Sequence, residues 1–208
     1  MSRTADRAAV VRGWDRQARS YDLITRGQER RWAAAKRALF SRISGRTLFG
    51  AMGTGIDIPL LPPELEITGV DISPAMLERA RPRAATYTGK IILTEADLTT
   101  LPFADAHFDT ALSVCTFCSV PDPVAGLREL FRVVRPGGRL LMFEHTMSRL
   151  PFVRSLLFTM TLFSRHVAHL STELNRDTVA NVERAGFRIE RITHHYLDVV
   201  KSIEAVRP

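Results

Sequence analysis

The feature that most restricts how this chain can fold is a short apolar run, Arg46–Ala51, that stops at Gly53-Thr54-Gly55 and is answered sixteen residues later by Asp71. Asp71 closes a second apolar run, Glu66–Asp71. Glycines at such a turn let the backbone approach a ligand in dihedrals that a side chain forbids. An acid at the end of the following strand is placed to accept both hydroxyls of a ribose. Either element alone also reads as a tight turn or a helix cap. Together, inside one βαβ unit, they describe a nucleoside site.

The alternation continues downstream. Ser73-Pro74 opens a helix that runs through Arg83, with a capping hydroxyl and a proline at the first helical position. Lys90–Thr94, Phe108–Val114 and Arg139–Glu144 read as strands, and Asp122-Pro123 caps a helix ending before the turn Arg135-Pro136-Gly137-Gly138. Strands alternating with helices of this length predict a parallel sheet covered on both faces. Upstream, Val11, Trp14, Ala18 and Tyr21 make a helical stripe, and a second helix over Gln28–Ile43 carries Trp32, Ala35, Leu39 and Ile43, with Gly45 as its stop. Downstream, Leu150–Leu170 is apolar on many sides and reads as a lid helix, and Asn175–Ala185 is amphipathic. Phe187–Thr193 and Tyr196–Ala205 form a hairpin turning at His194-His195, an antiparallel ending to the sheet. The 208 residues make one domain: a helical cap (1–45), a core (46–145), and a lid with the terminal hairpin (146–208).

Charge is distributed unevenly. The first fifty residues hold twelve basic and four acidic side chains, the middle of the chain is net acidic, and the tail is basic again. Such flanks suit an anionic surface. Two cysteines cannot build a disulfide framework, the first residues lack an apolar signal region, and the longest uncharged apolar stretch, Ser155–Ser164, is too short to span a bilayer. The expectation is a cytoplasmic protein that touches the inner face of a membrane without crossing it. The pair Cys115-Thr116-Phe117-Cys118 has zinc spacing but no second pair to complete a site, so no metal is expected. Arginine far outnumbers lysine, which also suits nucleic acid, and a basic nucleic-acid-binding protein on an enzyme-like scaffold is the alternative of another class. No recognised nucleic-acid motif supports it, and no nucleic-acid partner is expected.

NAD and S-adenosylmethionine both use a glycine turn with a distal acid. Five stretches decide between them: Gly53-Thr54-Gly55, Gly69-Val70-Asp71-Ile72-Ser73-Pro74-Ala75-Met76-Leu77, Leu101-Pro102-Phe103, His107-Phe108-Asp109 and Val134-Arg135-Pro136-Gly137-Gly138-Arg139-Leu140. In this order and spacing the chain resembles a class I S-adenosylmethionine-dependent methyltransferase, nearest to small bacterial phosphatidylethanolamine N-methyltransferases and quinone C-methyltransferases. The resemblance implies an α/β, Rossmann-like, seven-stranded and mostly parallel sheet with an antiparallel C-terminal hairpin strand, and two N-terminal helices as a cap. It implies S-adenosyl-L-methionine as cofactor, with S-adenosyl-L-homocysteine as product. The implied cofactor contacts are Ala51, Gly53, Gly55, Asp71, Ile72, Met76, Asp97, Leu98, Ser113 and Cys115, with Asp97 suited to the adenine amino group. The chain departs from the family at Phe49 and Ala51, where an acid and a glycine are usual. Either the cofactor is held weakly, or Tyr21, Arg26 or another N-terminal residue supplies the missing contacts.

Methyl transfer needs alignment and exclusion of water, with a base where the acceptor arrives protonated. Strand five ends at Glu144-His145, and Tyr21-Asp22 resembles a pair that closes over the cofactor in quinone and phospholipid methyltransferases. Tyr21 and His145 are therefore the catalytic and substrate-binding candidates, with Arg176 as a phosphate-binding candidate. The leading expectation is N-methylation of phosphatidylethanolamine at a bilayer surface. The alternatives are a quinone carbon or a small thiol, so the partner is a lipid or another small apolar acceptor. The segment Phe152–Leu170 is a membrane-lying helix, a lid or a homodimer face.

Overall fold

The computed structural model describes residues 3–153, 155, 159 and 176–208. Seven strands form one sheet in the order β3-β2-β1-β4-β5-β7-β6. They are β1 (Thr47–Gly50), β2 (Glu66–Asp71), β3 (Lys90–Glu95), β4 (Phe108–Val114), β5 (Val134–His145), β6 (Arg188–His195) and β7 (Val200–Val206). The first five pair in parallel; β7 runs antiparallel between β5 and β6. This is the Rossmann-like sheet with a terminal hairpin expected above. The ends of β1 and β4, side by side where the strand order reverses, open the crevice in which such sheets bind ligands.

The helices with described bounds are α1 (Arg3–Gln17), α2 (Tyr21–Phe40), α3 (Pro74–Ala85), α4 (Pro123–Val133) and α5 (Thr178–Arg184). Three start on a capping side chain: Ser73 accepts from Met76 N at 3.1 Å, Asp122 from Ala125 N at 2.9 Å, and Asp177 from Ala180 N at 3.1 Å. Proline occupies the first helical position of α3 and α4.

Four expectations are corrected. The stripe Val11–Tyr21 is not one helix: the chain breaks after Gln17, and Tyr21 begins α2, which reaches back seven residues beyond the predicted Gln28 start. No full helix links β1 to β2; Ile58–Leu60 is a single 3₁₀ turn. Arg135–Gly138 does not end before a strand but bulges within β5, where the pairing with β4 jumps from Phe108–Val134 to Thr110–Arg139. The hairpin turns at 196–199, so His194 and His195 belong to β6. His195 Nε2 lies 2.9 Å from Ser202 Oγ and its ring packs near Phe143, which is not a solvent-facing arrangement. The predicted lid, apart from its first residues, lies outside the described residues, as does Asn175.

The short β1–β2 link has a packing consequence. α2 covers the sheet face, with Trp32, Leu39 and Phe40 meeting Phe49, Ile67, Leu112, Leu141 and Phe143. Lys36 sits in the middle of that apolar stripe, fully buried. Its ammonium donates to Asp57 Oδ1 at 2.9 Å, tying α2 to the 3₁₀ turn, and to Glu29 two helical turns away. The opposite face is a second core built from Leu48, Val70, Phe108, Leu127, Leu130 and Met142.

Candidate active site

The floor of the crevice is the turn after β1. Ala51, Gly53 and Gly55 all take left-handed backbone, at φ 51°, 60° and 71°. Alanine thus keeps the conformation of the glycine it replaces, at a steric cost glycine would not carry. Asp71 stands behind the turn, its Oδ2 accepting from Gly53 N at 2.8 Å and its Oδ1 from Ser73 N at 2.9 Å. Burial pushes this carboxyl up to about 6, against the pull of those amide donors. Each oxygen keeps a lone pair for a hydroxyl donor.

The two N-terminal helices lie across this floor. Asp15 of α1 accepts from Ser73 Oγ at 2.6 Å and from Ala75 N at 3.3 Å. Arg7 reaches Glu95 and Asp97 at 3.8 and 3.7 Å. Asp97 itself accepts from Thr99 N and Oγ1. Asp22 of α2 accepts from Thr54 Oγ1 at 2.5 Å and from Arg83 at 2.6 Å, while Arg83 also donates to Thr54 O. The start of α2 is therefore bolted to the glycine turn. Tyr21, edge-on to Trp14, has its hydroxyl held far above the usual phenol range, first by burial and then by Cys115, Glu29 and Asp57. It is a neutral hydrogen-bond donor at any working pH.

Beyond β4 the chain turns on Cys115, another left-handed residue, whose N–H donates to Phe143 O at 2.8 Å. Glu144 anchors this turn from beneath. It is fully buried and accepts from Ser113 Oγ (2.7 Å), Thr116 N (2.9 Å) and Phe117 N (3.2 Å). Burial raises it to about 7. Arg176 donates to the carbonyls of Phe117 and Val120, bracing the far side of the same turn. Cys118 is pushed up to about 12 by burial and by Glu144, so it stays a thiol.

His145 follows Glu144 and so points to the opposite face. It lies 5.3 Å from the Trp32 ring, and its Nδ1 is buried without a hydrogen-bond partner. Burial and the Lys36 charge lower it to about 4, leaving a neutral imidazole. It lines a pocket of about 470 Å³ with Gly27, Gln28, Arg31 and Trp32 of α2 and with Tyr196, Val199 and Val200 of the hairpin.

The expected residues thus fall into three groups. Ala51, Gly53, Gly55, Asp71 and Asp97 gather at the crevice floor under α1, with Met76 buried in α3 next to the Ser73 cap. Tyr21 and Cys115 lie close enough for the Cys115 thiol to help raise the Tyr21 phenol. His145 opens on its own pocket two residues past Phe143. Ser113 is not brought to the crevice surface; it is fully buried, its hydroxyl serving Glu144. Leu98 packs in the core against Gly50. Arg176 is engaged with backbone carbonyls. Sequence reasoning missed Asp15, Arg83 and the Lys36–Asp57–Glu29 cluster. The one local signal among these was a lysine within the stripe of Trp32 and Leu39.

The residues present fit the implied cofactor. Nothing stands within 4 Å of the place a Gly53 side chain would occupy, so the turn leaves open space above Asp71. The usual acid is absent, since Phe49 is buried among Ile67, Leu112 and Phe143. Asp57, buried, and Glu29, partly buried, are near enough to Tyr21 for their charges to raise its phenol.

Residues 49–142 match the family described as "Methyltransferase domain". The ubiquinone/menaquinone biosynthesis C-methyltransferase UbiE of Syntrophotalea carbinolica is 37% identical over 74% of this chain and 67% of its own length. The phosphatidylethanolamine N-methyltransferase of Cereibacter sphaeroides is 32% identical over 61% of each protein. The chain therefore spans about two thirds of these curated relatives. A Thermotoga maritima structure titled as an S-adenosylmethionine-dependent methyltransferase, possibly acting on histamine, superposes with a TM-score of 0.73 over 96% of this chain and all of its own, at 20% identity, a likeness of fold. Glycine turn, distal acid, terminal hairpin and these similarities agree: the chain belongs to the class I S-adenosylmethionine-dependent methyltransferases.

Proposed function

We propose that the chain methylates a ring carbon of a quinol-type acceptor, seated in the His145 pocket. The observation that carries this reading is the unpartnered, buried Nδ1 of a neutral imidazole in a pocket walled by Trp32 and Tyr196. A neutral imidazole nitrogen accepts a hydrogen bond from a ring hydroxyl, and the aromatic walls suit a planar ring. Arg31 lines the pocket, the Lys36 ammonium lies 5.6 Å from the Trp32 ring, and no carboxylate is among the lining residues. With Lys36 already paired to Asp57 and Glu29, Arg31 is the charged lining residue, and a pocket lined by a cation and no carboxylate offers an ammonium no partner. The similarity to the Syntrophotalea carbinolica enzyme supports the same acceptor class. Phosphatidylethanolamine, the leading expectation from sequence, ranks second, since the relative of that name is less similar and the pocket lining holds no carboxylate to receive an ammonium.

S-adenosylmethionine, when bound, supplies an electrophilic methyl group. The chain does the rest. Asp71 and the turn at Gly53 would hold the ribose end, and α1 and α2 exclude water above it. His145 Nδ1 would take the hydroxyl proton, which raises electron density on the neighbouring ring carbon. That carbon takes the methyl as the methyl–sulfur bond breaks, and the hydrogen it carried then leaves as a proton while the ring hydroxyl is restored. The half-buried phenol of Tyr21 would donate a hydrogen bond at the methionine end, where Cys115 and Glu144 fix the turn.

The test is transfer of labelled methyl from S-adenosylmethionine to a reduced short-chain naphthoquinol, run beside vesicles containing phosphatidylethanolamine. Label on the naphthoquinol ring is expected. His145→Ala should lower kcat by about 100-fold while leaving the calorimetric Kd for the cofactor unchanged. Label in the lipid and none in the quinol would refute the acceptor assignment.

A further inference from the structure

We propose that the rim of the His145 pocket docks onto an anionic bilayer, with Leu23, Ile24 and Leu197 entering the boundary between headgroups and acyl chains. The inference rests on the reading above only in taking the pocket as the acceptor site. Among the described residues, seven large apolar side chains stand exposed. Scattered exposure of that kind is ordinary. These are not scattered: all except Ile92 come from the start of α2, from the hairpin turn, or from the segment that leaves β5.

The three segments converge at the pocket. Leu23 and Ile24 precede Gly27, Gln28 and Arg31 by one and two helical turns, so they continue the stripe of α2 that walls it. Tyr196 crosses to α2, its hydroxyl donating to Arg31 O at 2.9 Å, and carries Leu197 beside it. Arg149, three residues before Phe152, donates from its N–H to Asp198 Oδ2 at 2.6 Å and from Nη2 to His194 Nε2 at 3.0 Å. Leu23, Ile24, Leu197 and Phe152 are 77%, 75%, 71% and 81% exposed.

The backbone of the turn is a second, independent observation. Tyr196, Leu197 and Asp198 take left-handed φ of 49°, 56° and 66° in succession, without a glycine. Three such residues are costly, and strain of this kind persists where surrounding contacts over-determine it. Asp198 supplies those contacts, gripping Arg149 N, the His194 imidazole and the Lys201 ammonium. The result is a leucine held outward, where it gains nothing from the protein's own core.

Charge selects the partner. Arg19, Arg26, Arg30 and Arg149 are exposed on the same segments that carry the leucines. Apolar side chains on segments that also carry exposed arginines match an acidic headgroup layer, and a bilayer is where an apolar acceptor concentrates.

Co-sedimentation tests this without any acceptor present. The full chain is mixed with vesicles of phosphatidylcholine containing phosphatidylglycerol, or of phosphatidylcholine alone. We expect binding to the anionic vesicles that falls at least tenfold in Leu23→Asp/Ile24→Asp and in Leu197→Asp, and persists in Ile92→Asp. Each variant should retain its turnover of a water-soluble acceptor. Equal loss in Ile92→Asp, absence of binding by the unaltered chain, or a dimer in sedimentation equilibrium that Leu23→Asp dissociates would each overturn the proposal. Because vesicle binding is read directly, a wrong acceptor assignment leaves this result standing, and the reverse holds as well.

Discussion

Ala51 shows how one methyl group records a departure from the family. Its φ of 51° belongs to the left-handed region, where a β-carbon crowds the following carbonyl by about 1–2 kcal/mol. The chain holds it there because the turn must still aim Gly53 N at Asp71. Ala51→Gly should therefore stabilise the protein by about 1 kcal/mol, net of glycine's greater freedom when unfolded. Thermal unfolding should show a midpoint raised by about 2–4 °C, and a lower midpoint would mean the methyl contributes packing that outweighs its strain. Asp71, Ser73 and Gly53 were legible in the sequence because each acts within a few residues of its neighbours along a strand–turn–helix unit. His145 was legible as a strand-end residue, but its neutrality was not. That depends on Trp32 and Lys36, more than a hundred residues away in the chain.

At the scale of elements, α2 and the 3₁₀ turn depend on each other through a buried ammonium. Lys36 holds Asp57 and Glu29 with no exposure of its own, and burial raises both acids above the usual carboxylate range. Removing one member of a buried set strands the others, a loss of about 3–5 kcal/mol. Lys36→Ala should lower the denaturant midpoint by that equivalent near pH 7.5. The deficit should shrink at pH 5, as the stranded acids take up protons. A constant deficit across pH would assign the loss to packing over Trp32 and Phe143 instead. This pairing is not written locally, which is why the β1–β2 link was expected to contain an ordinary helix. The hairpin was misplaced for a related reason. Two histidines look like a turn, whereas Tyr196-Leu197-Asp198 carries none of the usual turn glycines and is held by Asp198's distant partners.

For the molecule as a whole, buried carboxyls set the response to pH. Glu144 titrates near 7 and Asp71 near 6 in the folded chain, both raised, so the folded state binds more protons than the unfolded one from about pH 4.5 to 7. His145, lowered to about 4, opposes this below its ordinary value of about 6.5. Summed over the window, stability should fall by about 2–3 kcal/mol as pH rises through it. Melting followed by circular dichroism should give a higher midpoint at pH 5 than at pH 7.5, and Glu144→Gln should flatten the upper part of that slope. The opposite trend would show that Glu144 is ionised without penalty. The parallel sheet and its terminal hairpin were foreseen from element alternation, a property of the entire chain, and the seven-stranded count from the family resemblance. The strand order comes from the structure. The sealed cap was foreseen in outline, but its fastenings, Asp15 to Ser73 and Asp22 to Arg83, join segments some sixty residues apart.

The long helix α2 begins at the glycine turn, walls the His145 pocket at mid-length, and ends as a cover for the sheet. Three tasks on one rigid element limit how such a protein can diverge. A change that reshapes the pocket from Trp32 also touches the core, and a change that loosens Asp22 also shifts the pocket wall. The hairpin turn is tied in as well, by Tyr196 to α2 and by Asp198 to Arg149, His194 and Lys201. New pocket shapes in descendants of this chain should accumulate at Gln28, an exposed lining residue, while Trp32 and Asp22 change slowly.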